Sequence, residues 1–141
     1  MTFHEKSRWI ALLANLAAWS WYFVAVARLH AAGVPNVPYM IAMMLPVIVA
    51  ITVIHIVAHV AVALWKPGEA RSETDEREQA IARRAASIAY NVLAVGLVLA
   101  VGATLFNWTA FFAVNAVMLV FILAESVRYT LEIVAYRRMA A

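Results

Sequence analysis

YMIAMMLPVIVAITVIHIVAHVAVALW, residues 39–65, decides the fold. The stretch carries no Lys, Arg, Asp or Glu, and as a helix rising 1.5 Å per residue it outruns the roughly 30 Å hydrocarbon core of a bilayer. Three further runs of the same kind flank it, from Trp9 to Leu29, from Ala85 to Phe106 and from Trp108 to Arg128. Their apolar residues are continuous rather than alternating, so each is read as a helix and not as a barrel strand; in lipid a helix satisfies its own backbone groups. The expectation is an all-α polytopic membrane protein with four transmembrane helices forming one domain over residues 1–141, in which the bilayer is the principal partner.

Composition supports this reading. Hydrophobic residues make up 66% of the 141 and charged residues 13%, against about half and a quarter in a soluble domain. The net charge of +3, from 11 basic and 8 acidic residues, is too mild and too dispersed for nucleic-acid binding. With no cysteine, thiol chemistry, iron–sulfur clusters and thiolate metal sites are excluded.

Basic residues set the orientation. Lys6 and Arg8 precede the first span, Lys66, Arg71, Arg77, Arg83 and Arg84 lie between the second and third, and Arg137 and Arg138 close the chain. The other side has only Arg28 near the Gly33–Pro38 connection and no charge at the Asn107 turn. By the positive-inside rule both termini and the charged loop, 66–84, face the cytoplasm of a cell's inner (plasma) membrane. The first span ends in an A-x-A arrangement, Ala25 and Ala27, but it is too long and too aromatic for a signal peptide and is read as retained.

Lys66-Pro67-Gly68 stops the second helix, and Ser72 or Thr74 restarts the chain as a helix. Ser72 with Asp75 resembles a capping pair, Glu73 and Arg77 have ion-pair spacing, and Asp75, Glu76 and Glu78 suit a helix start. The third helix is therefore expected to begin two or three turns before the membrane. Asn15 and Asn91 lie early in the first and third helices, and both hairpins end in an aromatic-basic pair, Trp65-Lys66 and Tyr136-Arg137. These echoes raise a duplicated hairpin as one reading, beside the chance likeness that helical hairpins share.

Asp75-Glu76-Arg77-Glu78, followed by Ile81, Arg84, Ala85, Ala89 and Tyr90, resembles a group of small uncharacterised prokaryotic membrane proteins, a domain of unknown function with a D-E-R motif before a transmembrane helix. Ala124-Glu125-Ser126-Val127-Arg128 through Tyr136-Arg137-Arg138 resembles their last helix, so the likeness covers residues 72–138. It implies a four-helix inner-membrane protein and no particular activity.

His55 and His59 are the sharpest chemical features, since a spacing of four puts two imidazoles on one helix face. Counting from Trp65, they sit roughly 15 Å and 9 Å inside the membrane, and Asn15, Asn91 and Glu125 fall at comparable depth. Thr52, Ser87 and Tyr90 flank this layer. Three readings stand open for it. The polar groups hydrogen-bond between helices as packing contacts. Alternatively they form a proton or small-ligand site, because histidine changes charge near neutrality. Or His55, His59 and Glu125 hold a divalent metal, with Asn15 or Asn91 supporting. Haem would need another axial ligand, because two histidines on one helix face cannot clamp a porphyrin; His4 and His30 are poorly placed within one chain. Glu125, Arg128 and Glu132 are spaced to pair along the fourth helix, with Tyr129 and Tyr136 alongside. They are read either as a contact surface or substrate-side gate, with Arg128 joining the ligand or proton site candidates, or as a charged helix end meeting Arg83, Arg84 or the acidic segment. Gly96 and Gly102, with Ala89, Ala94 and Ala100, suit close helix packing without forming GxxxG.

No phosphate loop, H-E-x-x-H motif or nucleophile elbow appears. The expected function is a non-enzymatic, oligomeric inner-membrane bundle that binds or passes a small ligand or proton, or regulates a partner. The alternatives are a metal- or haem-binding redox protein using His55 and His59, and a structural or regulatory subunit. In the last case Asp75, Glu76, Arg77 and Glu78 would dock a cytoplasmic or membrane partner.

Overall fold

The computed structural model describes residues 3–33, 37–65, 76–106 and 109–140. Four helices account for nearly all of them: α1 (Phe3–Ala31), α2 (Val37–Trp65), α3 (Glu76–Thr104) and α4 (Ala110–Ala140). Each is long and apolar enough to cross a membrane, the architecture of a multi-pass membrane protein. At 29 residues or more each helix is about 44 Å long, more than the roughly 30 Å thickness of a hydrocarbon layer. Gly33 ends α1 with a positive φ of 77°, a backbone that glycine adopts without a Cβ clash, and its amide donates to the His30 carbonyl. Pro46 lies inside α2, where it removes one backbone donor; membrane helices tolerate this.

Helices α1 and α4 form the centre. They pack against each other, α2 packs on α1, and α3 packs on α4. Trp19, Tyr22 and Val26 of α1, Met40 and Val47 of α2, and Phe111 and Ile122 of α4 form the apolar core. The outer surface is apolar as well: Ile56, Val57 and Leu64 on α2, and Val95, Val98 and Leu99 on α3, are exposed. A soluble bundle would turn charge outward at these positions.

The α1–α4 interface is antiparallel and studded with polar pairs whose numbers rise on one helix as they fall on the other. Glu5 accepts from Arg137 at 3.1 Å, and Arg8 pairs with Glu132. Asn15 Nδ2 donates to Ser126 Oγ at 3.5 Å, and Tyr22 OH donates to Asn115 Oδ1 at 3.3 Å. Beyond these, the His30 ring stacks on Phe111, centroids 4.9 Å apart. Pairs spread along the length of both helices, most of them about two turns apart, leave little freedom for one to slide or rotate on the other.

Helix α3 begins at Glu76, ahead of the apolar run, as its acidic first turn favours. Buried Ala85, Ala89 and Ala100 pack it closely on α4, and at Gly96 an added Cβ would collide with Val120. Gly102, by contrast, has nothing within 4 Å of such a Cβ and is not part of that contact. The two hairpins are not placed as equivalents: α1 packs against both α2 and α4, whereas α3 packs on α4 and supplies no residue to the cluster around Trp19 and Tyr22. The echoes expected to mark a duplication do not correspond in space, since Asn15 is buried and Asn91 exposed. Capping at Ser72, Thr74 and Asp75 and the Glu73–Arg77 pair involve positions outside the described residues.

Candidate functional site: a polar groove between three helices

About midway along α1, α2 and α4, the three helices border a groove of about 240 Å³. Asn15, Thr52, His55, Glu125 and Tyr129 supply its polar lining, with Trp19 and Phe121 among the apolar walls. The helical repeat explains the convergence: Thr52 and His55 are one turn apart on α2, and Glu125 and Tyr129 one turn apart on α4. Asn15 completes the lining from the central helix.

Each group is fixed differently. Thr52 donates to the Ile48 carbonyl at 2.8 Å within its own helix. Asn15 spends one amide hydrogen on Ser126, itself turned back to the Ile122 carbonyl at 2.7 Å. Tyr129 stands beside the Glu125 carboxylate. The Nε2 atom of His55 is buried and has no hydrogen-bond partner. In a neutral imidazole one ring nitrogen donates and the other accepts. A buried ring nitrogen without a partner costs about 1–3 kcal/mol, a cost that a hydrogen bond to a water or a polar ligand group in the groove would relieve.

Charged groups lead from the groove to the helix ends. Glu125 lies 3.9 Å from Arg128, and Arg128 Nε donates to Glu132 at 3.2 Å. Glu132 is fully buried and also pairs with Arg8 of α1. One carboxylate held by two guanidiniums avoids the heavy cost of an unpaired buried charge. The charged end of α4 thus meets Arg8, whereas Arg83, one of its expected partners, bonds Gln79 on its own helix at 3.3 Å. Arg8 carried a topological signal in the sequence and no structural one; a basic residue seven positions before Asn15, two turns along one face, was the available hint.

The remaining candidates lie elsewhere. Asn91 and Tyr90 are exposed on α3, Tyr90 at 69%, away from the groove. The His59 side chain lies outside the described residues, so the His55, His59 and Glu125 metal set is placed only at His55 and Glu125. Among the described residues no three His, Asp or Glu side chains converge as metal ligands. Of the docking segment, Glu76, Arg77 and Glu78 occupy the first turn of α3, and Asp75 lies outside the described residues. The chain matches no family model, no curated protein and no solved structure.

Proposed function

We propose that the protein is a non-enzymatic inner-membrane bundle that binds or passes a proton or a small polar ligand at the groove between His55 and Glu125. The observation that carries this reading is the unpartnered, buried Nε2 of His55 in a groove that also holds a carboxylate, a phenol, a hydroxyl and an amide. Trp9 Nε1 is likewise buried without a partner, but it does not line this groove. A groove of about 240 Å³ is smaller than the usual range for drug-sized ligands, about 300–1,000 Å³, which favours a proton, waters or a ligand of few atoms.

Both termini are cytoplasmic in this proposal, on the strength of the basic residues gathered at the loop and chain ends. The resemblance to the prokaryotic D-E-R group supports inner-membrane placement. A homo-oligomer belongs to the reading because four helices enclose little space. A protein partner would meet the exposed Glu76 and Arg77 at the start of α3.

The test uses proteoliposomes with an entrapped pH indicator and a small-ligand panel read by thermal shift, comparing wild type with His55→Leu. Proton equilibration faster than in empty vesicles, or a ligand shift, that disappears in the variant is the expected result. Wild type indistinguishable from empty vesicles, together with no histidine-dependent ligand shift, overturns the proposal.

A further inference from the structure

A second cavity lies on the opposite side of α4 from the core, in the cleft between α3 and α4. It measures about 620 Å³, and Arg77, Arg84 and Arg138 stand around it over a floor that includes Ile88, Leu131 and Val134. The three arginines are exposed, and among the described residues none of them makes an ion pair or a hydrogen bond. Several neighbouring basic residues differ: Arg8 and Arg128 are neutralised by Glu132, Arg137 by Glu5, and Arg83 is tied to Gln79, whereas Lys6, also without a partner among the described residues, lies on α1 away from the cleft.

The level of the cleft along the bundle matters as much as its charge. Arg84 immediately precedes the apolar run that begins at Ala85, so the guanidiniums stand where the headgroup layer meets the hydrocarbon. Below them Ile88 continues into the exposed apolar side chains Val95 and Leu99 of α3. An occupant must therefore be anionic at one end and apolar at the other.

We propose that this cleft binds one anionic phospholipid, its phosphate held by Arg84 and Arg138 with Arg77 at the rim, and its acyl chains lying along α3. Guanidinium forks match phosphate oxygens in a bidentate manner, and basic pockets between membrane helices are suited to lipid headgroups. A zwitterionic lipid would bring a cation against three unneutralised guanidiniums. A second copy docking by the same face would set arginine against arginine. The site is separate from the His55 groove and does not depend on that reading.

Native mass spectrometry in a mild detergent tests it, with phosphatidylglycerol and phosphatidylcholine offered in equal amounts. Wild type is expected to retain phosphatidylglycerol selectively. Arg84→Gln/Arg138→Gln should bind it roughly thirtyfold more weakly, at about 1 kcal/mol per surface cation. Arg83→Gln, a charge loss on the same helix but outside the cleft, should retain it. Ala135→Phe, which fills the floor without changing charge, should lose it, and so decides the matter should the arginine pair variant fail to fold. Equal retention of both lipids overturns the proposal, as does an equal loss in Arg83→Gln. Displacement of the lipid by millimolar inorganic phosphate would overturn it in favour of a free anion, and a dimer lost in Arg84→Gln/Arg138→Gln in favour of a second copy.

Discussion

Arg8, near the start of α1, and Glu132, near the end of α4, form an ion pair in which the carboxylate is fully buried and shared with Arg128. Because the two residues come from opposite ends of the chain, the pair sets how the first helix meets the last. Removing one partner of a buried pair costs about 3–5 kcal/mol, whereas replacing both with apolar residues of similar volume is often neutral. Arg8→Met and Glu132→Met are each expected to destabilise the protein. The double variant should be milder than the sum, with a coupling of about 0.5–3 kcal/mol. Reversible unfolding in mixed micelles measures it; strict additivity would mean that the pair does not fix the interface.

Gly96 makes a second prediction, on the opposite face of α4. Its missing side chain makes room for Val120, so Gly96→Leu overfills the α3–α4 contact and should cost about 1–3 kcal/mol. Adding Val120→Ala should recover part of the loss. Gly102→Leu is the comparison, since open space surrounds that position. Equal destabilisation by the two leucines would show that helix propensity, rather than the Val120 contact, governs the response.

The polar pair at Asn15 and Ser126 should matter little to stability. The contact is long at 3.5 Å, and interhelical hydrogen bonds in membranes average about 0.6 kcal/mol. Asn15→Leu is thus expected to shift unfolding by under about 1 kcal/mol while removing one polar group from the groove. A loss of several kcal/mol would make Asn15 a packing residue first.

The four helices were legible because lipid demands long unbroken apolar runs, and residues 39–65 meet that demand without a charge. Convergence was legible in part: counting turns put Asn15, His55 and Glu125 at comparable depth, and all three line the groove. Rotation was not. In lipid both the inner and the outer faces of a helix are apolar, so hydrophobic periodicity does not mark the buried side. Asn15 and Asn91 looked alike by depth, yet one faces Ser126 and the other is exposed. Arg8 and Glu132 were hidden for a related reason: charges near helix ends normally reach headgroups and water, and only the meeting of α1 with α4 turns these two toward each other.

His55 gives the prediction with the sharpest sign. A histidine that served as packing glue would lose a hydrogen bond on replacement, and the protein would become less stable. His55 Nε2 makes no such bond, so His55→Leu removes a buried polar atom that has no partner and adds apolar volume. The expected result is unchanged or higher stability, by up to about 1–3 kcal/mol, together with loss of the histidine-dependent proton or ligand signal. Gain of stability with loss of activity is the usual trade at sites that keep polar groups unsatisfied for a task. Unfolding measurements and the liposome assay on the same preparation separate the outcomes. A marked loss of stability with the signal retained would return His55 to a structural role and leave the groove without its acceptor.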